Sequence, residues 1–213
     1  MKTIALFINH PECSKDCCEG MIKALSNSYI ITLFSFDECS TINLESYDMV
    51  AFPGGIGDAS SYDRFFRRKI QNKVADYITN GGRYLGICMG AYWAGSYYLN
   101  VLDSVDAVQY IKQPGADTRR PHAKAIDVTW NGQQDKMFFY DGCALIGDAT
   151  KFTTVATYAN GDAMAIVQNN IGLIGCHPES EQFWYDGYSW LKGKHHQDRH
   201  HALLLEFVDN LMK

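Results

Sequence analysis

Gly86-Ile87-Cys88-Met89-Gly90, a cysteine with a glycine two residues to either side, is the stretch most suggestive of chemistry. It joins the apolar run Arg83 to Cys88 to a segment with small residues at Gly90, Ala91, Ala94 and Gly95. That is the pattern of a buried strand turning sharply into a helix that lies close to its sheet. A thiol on such a turn stands at the carboxyl edge of the sheet and the amino end of a helix, where thiolate is favoured. Free cysteine is also among the most buried residue types, so the pattern alone fits a packed small hydrophobe equally well.

A nucleophilic cysteine needs a base, and Gly175-Cys176-His177-Pro178-Glu179 offers one. An imidazole beside the thiol acts as general base, and a carboxylate two residues on holds the ring in the right tautomer. Positions two apart in an extended segment project to one side, and the proline restrains the link between them. Phe52-Pro53-Gly54-Gly55-Ile56-Gly57-Asp58 lacks the Lys-Ser/Thr of a phosphate loop and fits no nucleotide fingerprint. Its bare backbone is suited to aim N–H groups outward, so the amides of Gly55 and Met89 are the candidate oxyanion hole. Ile56, Tyr92 and Asp141 are candidate substrate contacts, the last within Tyr140-Asp141-Gly142.

These residues require strands that end at one edge. Apolar runs at Thr3 to Asn9, Tyr29 to Ser35, Met49 to Pro53 and Arg83 to Cys88 alternate with helical patterns at Ser14 to Leu25, Tyr62 to Thr79 and Met89 to Tyr98. In the Tyr62 to Thr79 pattern, Phe65, Phe66, Ile70, Val74, Tyr77 and Ile78 fall at helical spacing. The second half reads as strands at Val105 to Lys112, Ala123 to Trp130, Met137 to Leu145, Phe152 to Tyr158, Ala163 to Gln168 and Gly172 to Cys176. Asn131-Gly132 and Asn160-Gly161 are hairpin turns. A closing helix spans Asp198 to Met212. The expected fold is α/β: a three-layer α/β/α, flavodoxin-like, mostly parallel sheet with an antiparallel extension, in a single domain over residues 1–213.

Composition narrows the function. The 213 residues carry a formal net charge of -5, which supplies no basic surface for nucleic acid or anionic membrane. No run approaches the length of a membrane span, and the first apolar run is shorter than a signal-peptide core, so a cytoplasmic protein is expected. Seven cysteines, an odd and unevenly spaced set, favour reduced thiols.

The Pro53-Gly54-Gly55 loop, the Cys88 elbow and His177-Pro178-Glu179, in that order, resemble the class I glutamine amidotransferase family. More closely, the chain is similar to the amidotransferase-like N-terminal domain of biotin-protein ligases and its stand-alone relatives. The supporting stretches are Pro11-Glu12-Cys13, Phe52 to Gly55, Gly81 to Tyr92 and Pro114-Gly115-Ala116. The resemblance implies a flavodoxin-like sheet with Cys88 as nucleophile, His177 as base and Glu179 as its orienting acid. The family usually carries Gln where this chain has Tyr92, so glutamine is not the default substrate. Biotin ligation is not implied.

The expectation is a cysteine-dependent amidase or amidotransferase-like hydrolase that forms a thioester with a small amide. No cofactor, metal, nucleic acid or membrane is expected, and an acceptor or synthetase protein partner stays open. A catalytically silent binding or regulatory module of the same fold is the alternative; a peptidase or redox-stress protein ranks below both, since those lack His-Pro-Glu. His10, Cys13, Cys17 and Cys18 match no zinc-ligand spacing. His195 to His201 reads as a solvated helix start capped by Asp198. Phe183, Trp184, Tyr185, Tyr188 and Trp190 either pack or wall a pocket.

Overall fold

The computed structural model describes residues 1–9, 13–55 and 70–213. In chain order its strands are β1 (Thr3–Phe7), β2 (Ile30–Phe34), β3 (Met49–Phe52), β4 (Arg83–Ile87), β5 (Val105–Gln109) and β6 (Lys124–Trp130). They continue with β7 (Gln133–Phe139), β8 (Cys143–Gly147), β9 (Thr153–Tyr158), β10 (Ala163–Gln168) and β11 (Ile171–Ile174). The helices are α1 (Lys15–Leu25), α2 (Ile70–Thr79), α3 (Met89–Ala94), α4 (Gln182–Asp186) and α5 (Arg199–Leu211).

The strands form one sheet in the order β2-β1-β3-β4-β11-β10-β9-β6-β7, with β8 joining β10 and β5 pairing β8. The first five are parallel neighbours and the rest antiparallel. The parallel core has the flavodoxin-like order, in which ligands bind beyond the carboxyl ends of the strands near the point where strand order reverses.

Register decides which helices cover which face. Phe52, Gly86 and Leu173 are aligned across β3, β4 and β11, while Gly172 is aligned with Leu85 one residue earlier. Alternate residues of a strand face opposite sides. A Cβ on Gly86 would meet the backbone of Gly90 and Ala91 in α3, and one on Gly172 would meet Phe207 and Leu211 of α5. So α3 lies on one face and α5, packed along α1, on the other. The α3 face is aromatic: Phe7 to Phe52 is 5.2 Å between ring centroids and Phe52 to Trp93 is 5.4 Å.

Several boundaries differ from the sequence pattern. The residue 62–69 part of the expected Tyr62 to Thr79 helix lies outside the described residues. The helix after Cys88 stops at Ala94, four residues short of Tyr98, with Gly95 extended at ψ 174°. Met137 to Leu145 is not one strand but β7 and β8, broken where Asp141 takes φ 54°. The break lets Gly142 press against Gly175: a Cβ there would lie 2.0 Å from the Gly175 carbonyl oxygen. Asn131 and Gly132, at φ 47° and 79°, make the β6–β7 hairpin the turn with both central residues left-handed.

Beside the site, Gly90 also approaches a neighbouring backbone closely: its Cβ would stand 2.1 Å from the Phe52 carbonyl oxygen. Gly90→Ala should destabilise the protein by about 1–3 kcal/mol through forced displacement of α3. Gly187, at φ -65° with nothing nearer its Cβ position than 3.6 Å, should accept alanine with a change within about 1 kcal/mol. Urea unfolding of the two variants checks the contrast.

Candidate active site

Cys88 occupies a backbone conformation that side chains other than glycine rarely hold, φ 49° and ψ -100°. Its N–H donates to the Ile174 carbonyl at 2.8 Å, finishing the β4–β11 ladder, and its own carbonyl accepts from Tyr92 N–H at 3.0 Å, opening α3. The residue is thus bound to a strand on one side and a helix on the other. Observed strain of this kind concentrates at functional sites.

His177 stands three residues past the end of β11, and its N–H donates to the Phe138 carbonyl at 2.9 Å. Its Nδ1 lies 2.8 Å from Glu179 Oε1, with both side chains buried. That bond leaves Nε2 on the other side of the ring, and the Cys88 thiol is near enough to raise the ring's proton affinity. Burial, the largest influence, lowers the His177 pKa, and the Glu179 carboxylate is the largest of those that raise it. Together with further contributions from Cys88 and from the Cys17 contact, it holds the value well above the usual imidazole range. The ring therefore favours the imidazolium, the partner a thiolate requires. The structure brings Cys88, His177 and Glu179 together from the ends of two adjacent parallel strands.

Gly55 follows β3 and bridges Cys13, with Ser14 N–H donating to the Gly54 carbonyl at 2.9 Å. In that arrangement the Gly55 N–H points away from the Cys13 segment. Met89 is the first residue of α3, where backbone amides lack intrahelical acceptors. Ile56 lies outside the described residues. Tyr92 and Asp141 face one another: the Tyr92 hydroxyl donates to the Asp141 carbonyl at 3.1 Å, and Gln109 Nε2 donates to both carboxylate oxygens at 3.2 and 3.0 Å. Burial raises the Asp141 pKa, opposed by the Gln109 bonds.

A cavity of about 420 Å³ opens over His177. It is lined by Cys17 and Gly55 and walled by Phe138, Tyr140, Trp184 and Tyr188. Trp184 and Phe138 meet the His177 ring edge-on at 5.6 and 6.0 Å between centroids. Of the aromatic run, Phe183, Trp184 and Tyr188 wall the cavity, whereas Tyr185 packs inward with Ala123, Phe138 and Leu191.

Cys17 is the site neighbour that motif reasoning passed over. Its Sγ is 4.0 Å from His177 Nδ1, and burial foremost pushes its pKa up to about 11. Its position in the first turn of α1, just beyond the end of β1, was the available signal. Cys13 and Cys18, grouped with it by sequence, are buried with their sulfurs 3.8 Å apart. His10 lies outside the described residues.

The solvated reading of the histidine segment is overturned, because His196, His200 and His201 are buried. Asp198 sits at the N-cap position of α5 at φ 62° without a side-chain cap bond and pairs instead with Lys23 at 3.3 Å. The cause is the packing of α5 behind the site: His201 Nε2 donates to the Glu179 carbonyl at 3.2 Å. His196 Nε2 donates to the Ser180 carbonyl at 2.8 Å while its Nδ1 accepts from His200 N–H at 3.3 Å. Both nitrogens are therefore satisfied only in the neutral ring. His200 donates to Asp135 at 3.0 Å, and its buried Nδ1 has no partner among the described residues.

With this geometry in place, known proteins can be compared. The chain has a TM-score of 0.68 with a glutamine amidotransferase from Thermotoga maritima, covering 100% of this chain and 98% of that one at 13% identity. The PurLQS structure from the same organism gives 0.65 at 16% identity, with 100% of both chains covered. A glutamine amidotransferase from Methylobacillus flagellatus gives 0.58 at 10% identity, over 99% of this chain and 92% of that one. By fold the protein is class I glutamine amidotransferase-like. Within it, residues 9–100 match the family described as biotin-protein ligase, N terminal. No curated protein sequence matches the chain. Among the described residues no helix is long and apolar enough to cross a membrane.

Burial foremost drives the His196 pKa down to about 3 and that of His200 to about 4. Both lie below the unfolded value, so the unfolded chain binds more protons and stability falls as pH drops through about 6.5. On going from about pH 7 to pH 5 the loss should be on the order of 1 kcal/mol per imidazole, allowing for partial solvent screening. A His196→Gln/His200→Gln protein should have a flatter dependence over that range in urea unfolding.

Proposed function

We propose that the protein is a cysteine-dependent amidase or amidotransferase-like hydrolase acting on a small amide. The observation that carries this reading is the position of His177, bonded to the buried Glu179 carboxylate at 2.8 Å and close enough to the strained Cys88 for its thiol to raise the imidazole's proton affinity. The fold adds support of a coarser kind.

In this reaction the Cys88 thiol gives its proton to His177, and the sulfur attacks the amide carbon. The carbonyl π pair moves onto oxygen, where the amides of Gly55 and Met89 receive it. As the tetrahedral intermediate collapses, the carbon–nitrogen bond breaks and His177 returns the proton to the departing amine, leaving a thioester. Water, deprotonated by His177, then attacks the thioester; the carbon–sulfur bond breaks and the acid is released. Glu179 keeps Nδ1 protonated throughout, so that Nε2 carries the moving proton.

The test joins intact-protein mass spectrometry with an ammonia-release assay over a panel of small primary amides that includes glutamine. Cys88→Ala should abolish both acyl-enzyme and ammonia. His177→Asn should slow acylation by about 10²–10⁴-fold, and a chloroketone amide mimic should label Cys88 in the wild type and far more slowly in that variant. Undiminished hydrolysis by Cys88→Ala would sink the reading. Absence of both turnover and His177-dependent labelling would make the chain a silent module of this fold.

A further inference from the structure

We propose that Cys17, His177 and Glu179 form a binding site for a borderline-soft divalent metal ion, zinc above all, and that its occupancy silences Cys88 by taking the base away. The silencing rests on the reading of His177 as that base; metal uptake does not.

The three side chains come from separate parts of the fold, α1 and the segment after β11, and each offers one ligand atom, all within 4.8 Å of one another. Thiolate, imidazole and carboxylate together are a donor set suited to zinc. Zinc bonds of about 2.0–2.3 Å place tetrahedral ligands roughly 3.3–3.7 Å apart. The observed 4.0 Å between Cys17 Sγ and His177 Nδ1 therefore needs only a few tenths of an ångström of movement.

Two further features belong to a ligand site better than to a plain core. Glu179 is fully buried, one of its oxygens holds His177, and the other, Oε2, has no hydrogen-bond partner among the described residues. A buried carboxylate oxygen left alone is costly unless something occupies it. Gly54 supplies the room: a Cβ there would stand 2.7 Å from both Cys17 Sγ and His177 Cε1. Cys17 and His177 also line the cavity of about 420 Å³, which gives an ion its route in and leaves that side open for water as a fourth ligand.

On binding, Cys17 releases its thiol proton to solvent and its sulfur bonds the metal. Nδ1 of His177 gives up its proton to solvent and exchanges its hydrogen bond to Glu179 for a bond to the metal, so the ring becomes neutral with its one proton on Nε2. A ring in that state has neither a lone pair to accept the Cys88 proton nor a positive charge to hold the Cys88 thiolate. Hydrolysis and alkylation of Cys88 both slow.

Zinc uptake by the full chain is measured by competition with a chromophoric chelator, and cobalt uptake by its thiolate charge-transfer absorption. In parallel, the rate of Cys88 alkylation by iodoacetamide is followed by mass spectrometry with and without zinc. The wild type should bind one zinc ion whose affinity falls by at least about 10–100-fold in Cys17→Ala, with loss of the cobalt–thiolate band. Zinc should slow Cys88 alkylation in the wild type and not in the variant. Circular dichroism checks folding; should Cys17→Ala not fold, the near-isosteric Cys17→Ser takes its place with the same expectation.

Unchanged affinity in a folded Cys17 variant would place the metal elsewhere, for instance on His195 to His201, and overturn the site. Zinc protection of Cys88 that persists without Cys17 would make Cys88 the ligand, with the same consequence. Uptake that depends on Cys17 while alkylation ignores zinc overturns the silencing. A wild type that hydrolyses no amide still binds or fails to bind zinc, so the two readings fail separately.

Discussion

The backbone of Gly90 touches the backbone of Phe52, and the geometry of the active edge depends on that contact. Because α3 begins hard against the end of β3, the residue between β4 and α3 has no space for an ordinary turn and is held at φ 49°. The constraint is shared by both neighbours: Gly90 N–H donates to Pro53 O at 3.2 Å, and Cys88 N–H to Ile174 O at 2.8 Å. Three parallel strands thereby converge on one thiol. The cost of a strained non-glycine residue, of order 1–3 kcal/mol, is offset by ladder bonds and by the aromatic layer of Phe7, Phe52 and Trp93 beneath.

A second layer stabilises the charge. Glu179 is fully buried, which would be prohibitive for a carboxylate without compensation. His177 supplies part of it, and the Glu179 carbonyl is tied to His201 of α5. His196 and His200 behind the site are neutral spacers and hydrogen-bond donors, with Arg199 and His200 converging on Asp135. The depressed proton affinity of His196 and His200 keeps their rings uncharged behind the site, where the imidazolium at His177 pairs with the buried carboxylate.

How much of this was legible in the sequence follows from the range of each interaction. The βα alternation, the Cys88 elbow and the Asn131-Gly132 hairpin are set by local backbone preferences, and local patterns carry them. The division of Met137 to Leu145 was not legible, because it arises from Gly142 meeting Gly175, a contact between segments far apart in the chain. The burial of His196, His200 and His201 was hidden for a similar reason. Four imidazoles and an aspartate resemble a solvated helix start until a neighbouring carbonyl, Ser180 or Glu179, is there to accept their protons. Cys17 was visible only as one of a group, and its relation to His177 depends on where α1 comes to rest.

Tyr92 shows how one residue can alter the edge without disturbing its scaffold. Its hydroxyl donates to the carbonyl of Asp141, the residue whose left-handed turn ends the chain's run from β7, and Gln109 at the end of β5 holds the same aspartate. The antiparallel extension is thus clasped to α3 one helical turn beyond the nucleophile. That clasp carries Tyr140, whose carbonyl oxygen lies 3.9 Å from Cys88 Sγ, over the thiol. A side chain at position 92 that released Asp141 would also free this carbonyl, so the shape of the space above Cys88 is determined from the antiparallel side of the sheet, while the nucleophile's strain is determined from the parallel side.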